Sequence, residues 1–210
     1  MMKDNVKVNS ILTLITNGEE LVYTDENDIN IQGRFSVFCR ERGKIVPGTH
    51  REGFNIWSLS GREYDAQLKS YQSYGPDIPF RNDRIRYIGF GSGTQPEVST
   101  VSRLVTPIAW NVGNQFLAEV GIPTFPLAPT RTTVRYTKIY GLTELSVSGT
   151  VTLQEAGLFT DGGPPTFAPG TRDLTLANAT GQAPMAYKTF EPLKKTQNFE
   201  LEARWDLRHG

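Results

Sequence analysis

The 210-residue sequence has a single cysteine, Cys39, and only two histidines, His50 and His209. One cysteine cannot form a disulfide within the chain, and two histidines cannot build a histidine-rich metal site. A catalytic triad would need His50, which lies in Pro47-Gly-Thr-His-Arg-Glu52, where a solvated loop is the simpler interpretation. We therefore expect no metal ion and no other cofactor, and we predict that Cys39 is a buried structural thiol.

Net charge and long apolar runs are also missing. The chain has 22 basic and 22 acidic residues, so it has no overall field that would attract nucleic acid or an anionic membrane. No segment approaches the roughly 20 consecutive apolar residues that cross a bilayer. The run from Ile11 to Ile15 is too short for a signal peptide. We expect a protein that is used without export and binds neither nucleic acid nor membrane.

Two stretches near the C-terminus alternate apolar and polar residues. The first runs from Leu145 to Leu153, with Gly149 among the apolar positions, and the second runs from Phe199 to Leu207. Because side chains along a strand point to opposite faces in turn, each stretch predicts a strand with one buried and one solvated face. We expect a neighbouring Trp or backbone to approach Gly149 closely.

The wider pattern predicts an all-β protein, an antiparallel β-sandwich of jelly-roll type with long loops rich in proline and glycine. Glycine (20 residues) and proline (13 residues) are plentiful, and the proline-rich middle third favours edge strands or long loops. Only Tyr64, Leu68 and Tyr71 have helical spacing, which predicts one short helix. Further strands are predicted over Arg34–Arg42, Arg84–Phe90, Thr130–Tyr140 and Met185–Phe190.

The N-terminal residues differ from the rest. We predict an arm or hairpin over residues 1–33, because Asn17-Gly18 favours a tight turn, and a sandwich domain over residues 34–210. Residues 1–30 carry a net charge of −4, which leaves +4 for the remainder. An acidic arm of this kind either docks on a neighbouring copy or forms a solvated leader.

Two features suggest chemistry at first sight. Gly89-Phe-Gly-Ser-Gly-Thr94 looks like a phosphate-binding loop, but it lacks the Gly-Lys-Ser/Thr of a P-loop and the third glycine and helix of a dinucleotide loop. We predict a structural turn there. Glu200 and Glu202 form an acidic pair on a solvated strand face, where spacing alone does not indicate a glycosidase.

Four aromatic residues suggest a binding surface. Trp57, Tyr64, Tyr71 and Tyr74 lie close together in the sequence, and a row of exposed rings on a sandwich can stack on sugars. Packing in the core or between subunits is the competing interpretation. These four residues are the candidate sugar-stacking site of the alternative function given below.

The strand that ends in Glu155-Ala-Gly-Leu-Phe159 places two large apolar residues side by side. One of them must face away from the buried side unless a bulge intervenes, and an outward apolar residue invites a second layer or a neighbouring subunit. Tyr187 and Phe190 are suited to cover it. We therefore predict subunit contacts at Leu158, Phe159, Tyr187 and Phe190.

Five segments occur in an order that resembles small virion structural proteins of tailed bacteriophages, over residues 85–208. They are Ile88-Gly-Phe-Gly-Ser-Gly-Thr94, Arg131-Thr-Thr-Val-Arg-Tyr-Thr137, Val151-Thr-Leu-Gln-Glu-Ala-Gly-Leu-Phe159, Met185-Ala-Tyr-Lys-Thr-Phe-Glu-Pro-Leu-Lys-Lys195 and Phe199-Glu-Leu-Glu-Ala-Arg-Trp-Asp-Leu207. The resemblance implies a β-sandwich subunit in a ring around the neck or tail, or on the capsid surface. It implies no catalytic residues.

The resulting hypothesis is a non-enzymatic structural subunit of a virion, assembled in the bacterial cytoplasm. Its expected partners are copies of itself and other virion proteins of the portal, neck or collar, tail or capsid. The alternative is a carbohydrate-binding or receptor-recognition module. A cell-wall hydrolase is disfavoured, because the histidine and cysteine ligands of such an enzyme are missing.

Overall fold

The computed structural model describes residues 10–16, 19–25, 32–62, 85–127, 132–160 and 183–208, and regular structure in these residues is nearly all β. Residues 59–62 are helical. The helix predicted from Tyr64, Leu68 and Tyr71 lies outside the described residues. The strands are β1 (Ser10–Thr16), β2 (Glu19–Asp25), β3 (Gln32–Glu41), β4 (Lys44–Ile45), β5 (Arg51–Trp57), β6 (Ile85–Gly91), β7 (Leu117–Glu119), β8 (Thr133–Tyr140), β9 (Val151–Thr160), β10 (Ala186–Lys195) and β11 (Glu200–Arg208).

The chain divides into two compact units, residues 1–30 and residues 31–209. In the first unit, β1 and β2 pair antiparallel along their whole length. At the end of this pairing, Thr16 lies opposite Glu19. The turn predicted at Asn17-Gly18 lies outside the described residues.

The second unit contains one antiparallel sheet, which is nearly barrel-shaped. Its strand order is β7-β6-β9-β10-β5-β3-β11-β8, with β4 beside β3. The two ends of this order approach each other, because the chain after β7 leaves β6 and pairs with β8. There the Gly121 amide donates to the Thr137 carbonyl at 2.8 Å, and Thr124 and Arg135 exchange two backbone hydrogen bonds. The predicted all-β antiparallel fold is confirmed, with a continuous curved sheet.

The inner face of this sheet holds the main apolar core. The alternation predicted for β11 is confirmed, since Leu201, Ala203, Trp205 and Leu207 are all buried there. On β3, Phe35, Val37 and Cys39 alternate along the strand and are buried in the same core. Rings from different strands meet in the interior, where the Phe35 centroid lies 4.7 Å from that of Trp205, 5.5 Å from that of Phe190 and 6.2 Å from that of Phe90.

A second, smaller core involves β6, β9 and β10. Leu158 belongs to the main core, whereas its neighbour Phe159 belongs to this second core. The proline-rich segment between β6 and β7 supplies Val101 and Leu104 to it. The chain itself therefore provides the second layer that covers Phe159. The second core consists of Tyr87, Val101, Leu104, Leu117, Phe159 and Tyr187.

This arrangement corrects the predicted subunit contacts. Leu158, Phe159 and Tyr187 are fully buried within the chain and are not available at its surface. Phe190 is half-buried and stacks on Phe35 in the main core. The prediction was wrong for the first three residues, because the proline-rich segment covers the face that was expected to meet another subunit.

The first alternating stretch is only partly a strand. Strand β9 begins at Val151, and residues 145–150 form turns. Leu145 has a φ of +62° and Gly149 a φ of +118°, which no strand residue adopts. A Cβ at Gly149 would meet no atom within 4 Å, so the expected close approach is wrong. Glycine is required at this position for its backbone conformation.

We predict that Gly149→Ala lowers the free energy of unfolding by about 1–3 kcal/mol, because alanine is strained at this φ. Gly141→Ala is the matched control, since its Cβ would also meet no atom within 4 Å and its φ lies outside the positive range. Urea denaturation of both variants measures the effect. Equal stability of the two variants would contradict the conformational explanation.

Candidate functional site

The most unusual polar group in the described chain is the carboxylate of Glu155 on β9, which is 0% exposed. Its Oε1 accepts hydrogen bonds from the amides of Gly93 at 3.1 Å and Thr106 at 2.9 Å. Its Oε2 accepts from the Val105 amide at 3.1 Å and from the Tyr187 hydroxyl at 2.9 Å. These four donors are neutral. They match the roughly four lone-pair sites of a carboxylate.

The glycine-rich turn allows this approach. A Cβ at Gly91 would collide with Oε1 of Glu155, and one at Gly93 would lie 2.7 Å from the same atom. The turn supplies one amide, that of Gly93, to the carboxylate, and the other two amides are those of Val105 and Thr106. The glycine-rich turn therefore does meet an anion, but the anion is a side chain of the same protein.

Tyr187 completes the site from β10. Burial, followed by the neighbouring charge of Glu155, raises the pKa of the Tyr187 hydroxyl. The hydroxyl therefore stays protonated and donates to the carboxylate. Because the four hydrogen bonds fill both oxygens, Glu155 acts as a structural acceptor that joins the glycine-rich turn, the segment at 105–106 and strand β10.

A bulge in β10 follows Tyr187, where the register against β9 shifts between Thr189 and Leu193. Glu97 secures the start of this bulge. Its Oε1 accepts from the Lys188 ammonium at 2.7 Å, the Thr189 amide at 2.9 Å and the Thr189 hydroxyl at 2.7 Å. The loop that carries Glu97 is thereby fastened to the irregular part of the strand.

Arg51 secures the far side of the bulge. Its Nε donates to the Glu191 carbonyl at 3.3 Å and its Nη2 to the Pro192 carbonyl at 3.2 Å. Its Nη1 donates to the carbonyls of Gly48 at 2.8 Å and His50 at 2.9 Å. Strands β5 and β10 pair only at Ala186 and Tyr187, so this arginine joins them where the ladder has ended.

The last residue of β10, Lys195, is fully buried. Its ammonium donates to the carbonyls of Leu142 at 2.9 Å and Thr196 at 2.8 Å, and to the Ser146 hydroxyl at 3.3 Å. Burial lowers the pKa of this lysine, and it raises the pKa of the Cys39 thiol. Lys195 holds the turns between β8 and β9, and the prediction that Cys39 is buried is confirmed.

The outer face of β3 and β11 carries arginines over an aromatic ring. The guanidinium groups of Arg40 and Arg204 lie 5.3 and 5.0 Å from the ring centroid of Phe38. Both arginines bind Glu202, which is only 4% exposed. Glu202, which was considered with Glu200 as a glycosidase pair, thus forms ion pairs with two arginines.

The predicted sugar-stacking residues are only partly placed. Trp57 is 7% exposed and packs in the main core beside Gly61 and Met185, so it offers no exposed ring. Tyr64, Tyr71 and Tyr74 lie outside the described residues. His50 lies at the surface, where its ring meets Phe38 edge-on and its Nε2 is 3.5 Å from Glu52.

Two groups of exposed apolar side chains include the most exposed ones in the described residues, Val112 and Ile122. The first is the end of the barrel where the turns that follow β6 and β8 meet. There the Leu145 amide donates a hydrogen bond to the Trp110 carbonyl at 2.9 Å. Val112, 87% exposed, Leu142 and Val147 lie there, and we call them the rim. The second is the segment after β7, residues 120–127, which we call the strap. Its Ile122 is 92% exposed.

Searches for metal ligands and membrane spans give negative results within the described ranges. No group of three or more His, Cys, Asp or Glu residues in them is arranged to hold a metal ion. None of their helical residues form a helix of the length and hydropathy needed to span a membrane.

The geometry defines the class of this protein as an antiparallel all-β fold with a nearly barrel-shaped sheet. No family model matches the sequence, and comparison with curated proteins and solved structures gave no match. The roles of Glu155, Arg51 and Lys195 were not predicted from the sequence. For Glu155, the available signal was an acid directly before the apolar run Ala156-Gly-Leu-Phe159.

We predict that Glu155→Gln lowers the free energy of unfolding by about 2–5 kcal/mol, because the amide nitrogen cannot accept hydrogen bonds and leaves two buried donors unsatisfied. Tyr187→Phe should cost about 1–3 kcal/mol. Glu191→Gln, at an exposed position of β10, is the matched control and should stay within about 0.5 kcal/mol of the parent. Urea denaturation measures all three, and a neutral Glu155→Gln would contradict the structural role.

Proposed function

We propose that this protein is a non-enzymatic structural subunit of a tailed-bacteriophage virion. It contacts copies of itself and neighbouring proteins of the portal, neck, tail or capsid. The observation that carries the proposal is the meeting of three resemblance segments at Glu155. The glycine-rich turn, the β9 segment and the β10 segment supply the Gly93 amide, the carboxylate and the Tyr187 hydroxyl, respectively.

The rest of the β10 segment also has structural contacts. Phe190 stacks in the main core, the carbonyl of Pro192 accepts from Arg51, and Lys195 holds the turns before β9. Because these residues have structural roles, no catalytic role is needed to explain why they occur in the segments that resemble virion proteins. They favour a protein whose function is its shape and its surface.

The exposed apolar residues support a role in assembly. Val112 on the rim is 87% exposed and Ile122 on the strap is 92% exposed, and covering such side chains with another protein would remove their apolar surface from water. A ring needs two different patches on each copy, because each subunit binds one neighbour on each side. The rim and the strap are suited to that requirement.

The other functions find less support in the described residues. Glu155 and Glu202 are occupied by neutral donors and by arginines, respectively, so neither is poised to exchange a proton with a substrate. Trp57 is buried, which removes one of the four rings on which the carbohydrate-binding alternative was based.

The proposal is tested by mass spectrometry of gradient-purified phage particles from a host that expresses the chain. We expect a fixed number of copies in each particle. Val112→Asp should lower incorporation at least tenfold, because it places a charge in an apolar contact. Ser148→Asp, at an exposed polar position of the same barrel end, should incorporate normally. Absence of the parent chain from particles would contradict the proposal.

A further inference from the structure

Arg40 and Arg204, which we call the arginine pair, have more hydrogen-bond donors than their own fold uses. They share one carboxylate, that of Glu202, through Nη2 of Arg40 at 2.8 Å and Nε of Arg204 at 2.5 Å. In the described part of the chain, no other acceptor binds either guanidinium, and Nε of Arg40 is buried without a partner. Since each guanidinium has five N–H groups, most of these donors have no acceptor there.

The arginine pair is held in place and still reaches the surface. Both guanidiniums lie over the Phe38 ring, and the side chains of Arg40 and Arg204 are 26% and 33% exposed. Ser36 on β3 and Thr137 on β8 lie directly opposite Arg204, so residues with hydroxyl groups flank it on both sides. Fixed guanidiniums suit a carboxylate, because arginine binds one through two parallel hydrogen bonds.

The acids nearest to the arginine pair in the sheet do not supply a second carboxylate. Glu200 lies opposite Arg40 in the β3–β11 ladder, but within the described residues the two form no ion pair. Asp206 is two residues from Arg204, and both of its oxygens accept from Arg135 at 2.7 Å. A further carboxylate for the arginine pair therefore has to come from another part of the assembly.

The N-terminal residues have the opposite excess of charge. Residues 1–30 carry a net charge of −4 against +4 for the remainder, and strand β2 contains Glu19, Glu20 and Asp25. Among the described strands, β1 and β2 pair only with each other. Because an isolated two-stranded hairpin is at best marginally stable in water, this hairpin gains from docking on another surface.

We infer that the acidic hairpin β1–β2 of one copy docks on the arginine pair of a second copy, a contact that rests on the proposed function and specifies the surfaces that meet. The hairpin brings the carboxylates that Arg40 and Arg204 lack. The hairpin and the arginine pair are different surfaces, so each copy binds one neighbour through each of them. Such a head-to-tail contact forms a ring when the rotation closes and a filament when it does not.

Charge inversion in two full-length variants tests the docking. The face variant carries Arg40→Glu, Glu202→Arg and Arg204→Glu, which inverts the charges and keeps opposite charges beside each other. The hairpin variant changes the net charge of residues 1–30 from −4 to +2 and carries Glu19→Lys, Glu20→Lys and Asp25→Lys. Because like charges then meet in each variant alone, the dissociation constant of its assembly should rise about tenfold or more. Sedimentation velocity measures it.

Mixing the two variants distinguishes docking between copies from docking within one chain. In the mixture, each hairpin meets a face of opposite charge on the other variant, so the dissociation constant of the parent should return. A mixture that assembles no better than the separate variants would overturn the inference and leave the proposed function standing, provided that the parent chain enters particles. A parent chain that neither assembles nor enters particles would overturn both.

A milder variant keeps the test independent of whether the inverted cluster folds. Arg204→Gln leaves the ion pair between Arg40 and Glu202 intact and should weaken assembly about threefold, with a smaller effect of salt than in the parent. The matched control exchanges the neighbouring balanced pair by Arg135→Asp and Asp206→Arg and should leave assembly unchanged. An Arg204→Gln variant that assembles as the parent does at every salt concentration would overturn the docking.

Discussion

The outer layer of this protein depends on how Glu155 is satisfied, because a buried carboxylate is tolerated only when its oxygens are fully hydrogen-bonded. Its donors come from Gly93, Val105, Thr106 and Tyr187. Three of them are backbone amides of the connection between β6 and β7, which has few strand contacts of its own. One side chain on β9 thus fixes the path of a long irregular segment, and that segment in turn covers Phe159 and Tyr187.

Strand pairing in the nearly barrel-shaped sheet is incomplete at two places, and different residues span each of them. Where β5 and β10 separate, Arg51 spans the opening with hydrogen bonds to the carbonyls of Glu191 and Pro192. After β7, Gly121 and Thr124 of the strap join the sheet to β8 by backbone hydrogen bonds with Thr137 and Arg135.

Sequence patterns predicted most of the long strands of the second unit but missed β5 (Arg51–Trp57), and they predicted the contacts between distant segments poorly. Alternation identified β11, because its buried residues follow period two without interruption. It failed before Val151, because two turns that need positive φ at Leu145 and Gly149 mimic the same alternation. The partners of Glu155 were not predictable, since its amide donors lie 49 to 62 residues earlier in the chain. For Phe159, the need for cover was predicted, but no local pattern distinguished a second layer from a second subunit.

Amide hydrogen exchange tests the central role of Glu155 most directly. The account predicts that the amides of Gly93, Val105 and Thr106 exchange as slowly as those of the β6–β9 ladder. In the Glu155→Gln variant they should lose most of this protection, while the β3–β11 ladder keeps its own. Rapid exchange of these three amides in the parent protein, or unchanged protection in the variant, would contradict the account.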